Sequence, residues 1–529
     1  MRVLLYIFLL LSAFQSVLAQ NFNVNNERTF EYLYLNHLDT AVDFHAAIKP
    51  YNKKEVDRVI PYDTTISQLQ LSTSKGFVNQ LFNQHLIEKQ GNFYFNINPI
   101  INAISTLEKA DNYSENLLET SVGVQLQAAL GQKWSAEFAF LYDYSTYPSH
   151  IDAMIQTKHI SPGYGYTKND AAIFSQGNLT FTPNDVFTIQ AGYGKHFIGD
   201  GYRSLLLSDV ANSYPYLKAT ANIWKIKYMA LYSNHQDIRF TDGIYSNYMQ
   251  KFATTHYLNM NVTKWLNLGF FESIVFQSQE KEFYRGYDLS YLNPIIFLRS
   301  TEYALGSSDN ALMGGSIKMR ILKKYIFYGQ LLFDEFLLEE LKAGNGWWAN
   351  KYGVQAGLKF IEPLNIKRLR LQLEYNEVRP FTYSYFYRST NVSTLQNYAH
   401  FNAPLAHPLG ANFKEITASA FYAKKRWIFE LHSTLAKVGL DTNGYSLGQD
   451  VYQPYNNRED DYGYYTLNGL KTNIVNNTVK ISYVLNPKSN MILQAGVTNR
   501  RFTNNYTDLS SNMFFIGLKT AITNRYNDF

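Results

Sequence analysis

The chain has 529 residues, a formal net charge of +5 and no cysteine, which excludes disulfides, thiolate metal sites and a Cys nucleophile. The small positive excess is spread along the chain and gives no reason to expect nucleic acid as a partner. With 43 Tyr and 36 Phe, the chain carries more aromatic surface than a globular domain needs, and transmembrane barrels place such rings in girdles at both membrane interfaces.

The N-terminus has the layout of a secretory signal. A short basic start at Met1-Arg2 precedes an apolar run from Val3 to Phe14, and small residues lie just before Gln20. The run is too short for a comfortable membrane anchor. The pattern predicts a signal peptide over residues 1–19, cut before Gln20, and therefore an exported protein.

In residues 20–90 apolar and polar residues do not alternate, and their spacing favours helices. Asp63-Thr64-Thr65-Ile66 is a candidate helix start, and apolar residues between Leu69 and Leu86 keep roughly helical spacing. We predict a small, mainly helical periplasmic segment that precedes a barrel at 91–529 and covers its periplasmic mouth.

From about residue 92 the chain repeats long alternating segments. In Ser121–Ala128, apolar Val122, Val124, Leu126 and Ala128 alternate with polar or small residues. The same alternation follows near residues 187–194, 354–360 and 368–375. A strand with one face in lipid and the other toward a wet lumen has this pattern, and ordinary soluble strands average only about five or six residues.

Short turns give the strand count. They lie near residues 131–133, 183–185, 223–225, 263–265, 322–324, 363–365, 423–425 and 487–489. Eight hairpins give sixteen strands, and single strands near 92–104 and 512–522 complete eighteen. An even number lets the first and last strands pair antiparallel, which removes the edge that lipid cannot satisfy. The predicted fold is an all-β, antiparallel transmembrane barrel of about 18 strands in the outer membrane.

The alternation also predicts which side chains face lipid. The outward set is Val124, Leu126, Ile189, Leu371 and Met491, and the inward set is Gln125, Gln190, Arg370 and Gln494.

Along the chain, long polar connections alternate with the short turns. They span about 145–170, 196–213, 235–251, 279–308, 335–347, 380–411, 438–474 and 502–511. Short turns of bacterial barrels face the periplasm, so these loops are expected outside. An eighteen-stranded barrel is wide enough for a channel, and loops of this length can fold in and plug it.

Charged residues at inward positions are the most informative polar feature. They are Lys318, Arg320, Lys359, Arg368, Arg370 and Glu374. One interpretation is a set of ion pairs that ties a filled barrel together. The other is a basic wall of a channel or an anionic-glycan groove. Under both interpretations, charged side chains that are removed from water need partners of opposite charge.

Local matches to enzyme motifs are incomplete. Ser72–Lys75 matches S-x-x-K and Ser308–Asn310 matches S-D-N, but the third penicillin-recognising element, K-T-G, is missing. No nucleophile–base–carboxylate arrangement and no metal-ligand spacing stand out. We expect no enzymatic activity, no cofactor and no metal.

Four segments near the predicted outer end carry a family likeness: Gly194–Ser204, 293–310, Ala406–Asn412 and Asn457–Asp461. On these segments the sequence resembles Wzi-like capsule-assembly proteins, especially the RemB-type gliding-motility proteins of Bacteroidota. The resemblance implies an eighteen-stranded barrel with a periplasmic helical segment and a largely closed lumen. It also implies a role in holding capsular polysaccharide at the cell surface or in motility on surfaces.

The sequence therefore predicts an outer-membrane barrel whose partners are lipid and surface polysaccharide or another envelope protein. Two alternatives stay open: a transport channel, and an accessory subunit of the secretion or gliding machinery. The candidate binding residues are Asp200, Arg203, Arg299, Glu302, Asp309, Trp347, Trp348, His407 and Arg458. Planar hydrogen-bonding groups and aromatic faces grip sugars, but the same charges could bond the loops to one another.

Overall fold

The computed structural model describes residues 21–70, 76–110, 113–168, 170–239, 241, 243–278, 285–295, 309–322, 324–388, 392–442 and 444–529. Arg299, Glu302, the predicted signal peptide and the S-x-x-K match lie outside the described residues.

Within that part of the chain, eighteen long strands form one closed antiparallel barrel. In chain order they are β1 (Phe93–Ala110), β2 (Tyr113–Leu130), β3 (Trp134–Ser145), β4 (Ala171–Phe181), β5 (Phe187–Gly194), β6 (Tyr214–Ile223), β7 (Ile226–Asp237), β8 (Met249–Asn261), β9 (Leu266–Gln277), β10 (Asn310–Ile321), β11 (Tyr325–Glu335), β12 (Lys351–Ile361), β13 (Leu369–Val378), β14 (Phe413–Lys424), β15 (Trp427–Leu440), β16 (Leu470–Asn486), β17 (Met491–Thr503) and β18 (Asp508–Thr520). Pairing of β18 with β1, from Ser511 opposite Ala110 to Leu518 opposite Ala103, closes the ring. The predicted barrel and strand number are confirmed.

Side chains alternate between the two faces of the wall. On β5, Ile189 is 42 % exposed and its neighbour Gln190 is buried. On β13, Leu373 is exposed and Glu374 is fully buried. A ring of aromatic residues marks the outer face near one end, including Trp134, Trp265, Tyr325 and Trp427. The wall is therefore apolar outside and polar inside, as a lipid-embedded barrel requires.

The connections differ sharply between the two ends. One end, called the turn end, carries the tight turns at 131–133, 182–186, 224–225, 262–265, 322–324, 362–368, 425–426 and 487–490. The other, the loop end, carries the connections 146–170, 195–213, 238–248, 278–309, 336–350, 379–412 and 441–469. The prediction of a long loop at 502–511 is wrong. Strands β17 and β18 stay paired up to Thr503 and Asp508, so only four residues connect them.

Helices are short and lie mostly before the barrel. They are α1 (Arg28–Thr40), α2 (Lys53–Asp57), α3 (Tyr62–Ser67), α4 (Gly76–Asn83), α5 (Ser149–Lys158) and α6 (Leu338–Ala343). Among the described residues, no helix is long and apolar enough to cross a membrane.

Helix α1 lies inside the barrel. The Glu27 side chain caps it by accepting from the Thr29 amide. Phe30 packs on barrel-wall residues including Phe421, and Tyr34 packs among Phe44, Tyr51 and other residues of its own segment. Because the helix is buried on both sides, it fills the lumen near the turn end as well as covering the mouth.

The C-terminal tail also enters the lumen. After β18 ends, the Ala521 amide donates to the carbonyl of Asn490 in the turn between β16 and β17. The Asn524 side chain then donates to the Asn26 carbonyl. Further along, the Phe529 carbonyl accepts from Arg500 near the loop-end limit of β17. The tail 521–529 thus runs upward through the lumen, and Phe529 is not part of the last strand.

Candidate functional site

The loop between β5 and β6 folds into the lumen and carries the first of the four family-like segments. The amides of Tyr202 and Arg203 donate to the two oxygens of Glu374 on β13, at 2.7 and 3.0 Å. A Cβ placed on Gly201 would lie 2.3 Å from a Glu374 oxygen and 2.7 Å from the Arg203 carbonyl. Only glycine leaves the backbone room to approach the carboxylate this closely.

Arg203 is the centre of a buried charge cluster. Its guanidinium lies 3.0 Å from the Glu415 carboxylate on β14 and 3.0 Å from that of Asp528 in the C-terminal tail. Glu415 also accepts from Nε2 of His407 at 2.8 Å, while Nδ1 of His407 accepts from the Leu409 amide. The cluster joins two inserted loops and the C-terminal tail to the wall.

A second cluster lies deeper, toward the turn end. Asp39 of α1 accepts from Lys318 at 2.9 Å, Lys359 at 3.1 Å and Arg370 at 2.7 Å. Lys318 also contacts Asp200 of the β5–β6 loop at 2.9 Å. These inward cations therefore bind carboxylates of the inserted segments and do not line an open basic wall.

The β13–β14 loop seals the space above the Arg203 cluster. The Tyr383 and Tyr398 hydroxyls donate to the carbonyls of Leu205 and Leu206, each at 2.8 Å. Asn412 donates to carbonyls of Gly439 and Asn468 and holds the end of the loop against the wall. The apolar residues around them form the largest buried cluster among the residues that the structure describes.

Burial and charge act against each other on the acids of these clusters. Burial would raise the pKa of Asp39, but the surrounding Lys318, Lys359 and Arg370 hold it well below its usual range. The pKa of Asp528 is likewise held well below its usual range, because Arg203 and His432 outweigh the effect of burial. Burial lowers the pKa of His407, which fits the neutral ring that its two hydrogen bonds require.

An aromatic cluster, which we call the loop-end platform, lies on the outside of the loop end. It consists of Trp347, Trp348, Tyr455, Arg458, Tyr462 and Tyr465. The Arg458 guanidinium lies 4.0 Å above the Trp348 ring, and the Tyr455 ring centroid lies 4.6 Å from that of Trp348. The rings of Tyr462 and Tyr465 are about half exposed, at 51 % and 50 %.

Backbone bonds hold the platform together. The β11–β12 and β15–β16 loops are joined by Trp348 N to Asp461 O at 3.0 Å and by Tyr464 N to Gly346 O at 2.8 Å. Arg379 adds donations to the carbonyls of Asn350 and Tyr464. The open ring faces are therefore presented on a rigid base.

The candidate residues that the structure describes fall into three groups. Asp200, Arg203 and His407 lie in the lumen clusters, whereas Trp347, Trp348 and Arg458 belong to the loop-end platform. Asp309 is buried in a third place, where it accepts from Arg285, Tyr291 and Gln396.

Of the six charges that alternation assigned an inward face, five lie on the lumen side of the wall and one lies in a turn. Lys318, Arg320, Lys359, Arg370 and Glu374 are buried on the lumen side, and Nε of Arg320 donates to the Asp39 carbonyl. Arg368 is placed differently: it lies in the turn before β13 with φ at 61° and donates to Gln68. The strand begins one residue later than the alternation suggested, so Arg368 bonds the N-terminal segment at the turn end.

Sequence reasoning missed the partners of these cations. Asp39 lies in a segment without strand alternation, and Asp528 follows the last strand, so alternation assigned neither residue a face. The one available signal was the surplus of inward cations over inward anions, which required acids from elsewhere in the chain.

Comparison with solved structures shows the fold of this chain. No family model and no curated protein matches this chain. Among solved structures it is similar to Wzi of Escherichia coli, described as an outer-membrane protein involved in group 1 capsule assembly and a carbohydrate-binding β-barrel. The TM-score is 0.56 at 11 % identity, and the match covers 94 % of this chain and 99 % of Wzi.

Two other solved structures align with lower TM-scores. OccK5 of Pseudomonas aeruginosa aligns with a TM-score of 0.41 at 9 % identity, over 80 % of this chain and 98 % of that one. OccAB4 of Acinetobacter baumannii aligns with a TM-score of 0.43 at 8 % identity, over 82 % of this chain and 99 % of that one. The chain therefore has a Wzi-like barrel fold, and the finer resemblance to gliding-motility proteins stays a prediction.

Proposed function

We propose that this protein is a non-enzymatic outer-membrane barrel that binds surface polysaccharide through the loop-end platform. The observation that carries the proposal is the pair of half-exposed rings, Tyr462 and Tyr465, on a rigid base above a filled lumen. Aromatic faces stack against the C–H faces of sugar rings, and neighbouring planar polar groups bond the hydroxyls.

The orientation follows from barrel topology. Tight turns of bacterial barrels face the periplasm and long loops face the exterior, so the platform lies at the cell surface. The predicted signal peptide supplies the export that this location requires. The resemblance to capsule-assembly proteins and the Wzi-like fold support polysaccharide as the ligand class.

The local charge narrows the ligand. The loops 336–350 and 441–469 carry Glu339, Glu340, Asp441, Asp450, Glu459, Asp460 and Asp461 against Lys342 and Arg458. Like charges repel across a surface, so a neutral or amino-containing glycan fits this surface better than a strongly acidic one.

Binding of defined glycans to the detergent-purified protein tests this proposal. We expect the double variant Tyr462→Ala/Tyr465→Ala to lose at least about tenfold in affinity, since each stacked ring contributes on the order of 1 kcal/mol. Tyr245→Ala is the matched control, because Tyr245 is 70 % exposed in a different loop at the same end. Equal binding by both variants, with both still folded, would show that the platform is not the site.

A transport channel is the alternative that one observation favours. A cavity of about 320 Å³ lies between the C-terminal tail and the wall formed by β14–β18, β1 and β2. Its lining side chains bond to one another, as Lys480 does to Glu430 at 2.8 Å, and the inserted loops and the tail close the lumen around it. In planar bilayers we therefore expect little steady conductance. Large, stable, ohmic channels would overturn the closed-barrel proposal and favour transport.

A further inference from the structure

Helix α4 presents its apolar side chains to the outside. Phe77 is 78 % exposed, and Val78 and Leu81 are each 48 % exposed. Its opposite side is held by polar contacts: Arg426 donates to the Phe82 carbonyl at 3.1 Å and to Oδ1 of Asn83 at 2.8 Å. A helix in water ordinarily buries its apolar face, so this arrangement is inverted.

The exposed face joins the outer wall of the barrel. After α4, the short strand Ile87–Lys89 pairs with Phe95–Ile97 of β1, beyond the point where β18 ends. Ile87 lies opposite Ile97, whose neighbours Asn96 and Asn98 are buried inward, so both isoleucines have outward parity. Ile87 thus continues the lipid-facing surface below the seam that closes the barrel.

Basic residues surround the turn end on all sides. Seven of the eight tight turns contain Lys or Arg, with Lys133, Lys264, Lys367 and Lys425 exposed. The exception is the 182–186 turn, where Asp185 pairs with Lys54 of α2. Charges spread around the whole ring fit a flat anionic surface, whereas a single protein partner would need them on one side.

We propose that α4, with Leu86 and Ile87, is an interfacial anchor that lies in the headgroup–acyl boundary of the membrane leaflet at the turn end. Its partner is anionic phospholipid, whose headgroups contact the basic turns while Phe77, Val78 and Leu81 enter the acyl region. Helix α4 lies beside the turn-end limit of β16, where Asn486 donates to the Leu81 carbonyl at 3.0 Å, and Ile87–Lys89 extends the wall beside β1. This proposal goes beyond glycan binding and rests only on the membrane placement of the barrel.

The absence of cysteine allows a direct test. Single-cysteine variants Phe77→Cys and Leu81→Cys are labelled with an environment-sensitive dye and placed in phosphatidylethanolamine/phosphatidylglycerol vesicles that contain spin-labelled quencher lipids. We expect a blue-shifted emission and quenching by lipids labelled near the headgroup. Thr64→Cys, exposed on α3, is the aqueous control, and Ile516→Cys, 61 % exposed on β18, is the lipid control.

Each outcome decides the proposal. Labels at Phe77 and Leu81 that behave like Thr64, while Ile516 is quenched, overturn the anchor and leave the barrel placement intact. A water-exposed label at Ile516 overturns the membrane placement itself. Labels that are exposed to water in vesicles but shielded from water in native membranes would overturn the lipid anchor and indicate that α4 binds a protein. Equal blue shifts in purely zwitterionic vesicles overturn the role of anionic lipid.

Discussion

Arg203 and Arg458 show how differently the lumen and the loop end use the same side chain. Arg203 is 1 % exposed and bonds Glu415 and Asp528. The Arg458 guanidinium lies 4.0 Å from the centre of the Trp348 ring and pairs with Asp461, whose side chain is 59 % exposed. A buried ion pair is costly to break, whereas an exposed one contributes little to stability. Removal of a lumen charge should therefore destabilise the fold more than removal of a charge at the loop end.

The largest expected effect comes from breaking the lower lumen cluster. Asp39→Ala leaves Lys318, Lys359 and Arg370 buried without their shared anion. Removing one partner of a buried pair costs about 3–5 kcal/mol. We expect residues 21–60 to leave the lumen and become sensitive to protease while the barrel wall persists. Asp63→Ala is the control because Asp63 is largely exposed, and similar digestion of both variants would contradict the assignment.

Acid should loosen the same segments in a defined direction. Because the pKa values of Asp39 and Asp528 are depressed in the fold, their stabilisation is complete above the ordinary carboxyl pKa of about 4 and is lost as pH falls below it. Hydrogen exchange between pH 7 and pH 3 measures this. Relative to the intrinsic exchange rate at each pH, the protection of amides in 21–60 and 521–529 should fall below about pH 4 before that of the wall strands does. Uniform loosening of wall and lumen would contradict this order.

The wall could be predicted from sequence and the lumen contents could not. Alternation of period two is a local property, so Gln190 and Ile189 reveal their faces without knowledge of any partner. The bond between Asp39 and Lys318 joins residues 279 positions apart, and no local pattern in α1 marks Asp39 as the acid that the inward cations need. The Gly199–Arg203 segment was recognisable as distinctive, but its role depends on Glu374 and Glu415, which lie far along the chain.

An intermediate effect is expected where the backbone approaches Glu374. Gly201→Ala places a methyl group 2.3 Å from a Glu374 oxygen, and overpacking of this kind costs about 1–3 kcal/mol. We expect a lower midpoint of thermal unfolding for the β5–β6 insert, measured by heat-modifiable migration and near-UV circular dichroism. Shortening the carboxylate with Glu374→Asp in the same chain should recover part of the loss. Wild-type stability of Gly201→Ala would show that the close approach is not required.

The smallest effect on stability is expected at the loop-end platform. Arg458→Ala removes a partly exposed pair with Asp461 and a stack on Trp348, which together contribute no more than about 1–2 kcal/mol. Arg203→Ala, its buried counterpart, should cost several times as much because Glu415 and Asp528 lose the buried cation that they share. Unfolding of the two variants, followed together with glycan binding, separates the regions. Arg458→Ala should keep the fold and weaken binding, since the uncovered Trp348 ring loses the cation that orients it. If Arg458→Ala instead unfolds the outer loops as severely as Arg203→Ala unfolds the segments inside the lumen, the platform has a structural role. The distinction between the two regions would then be wrong.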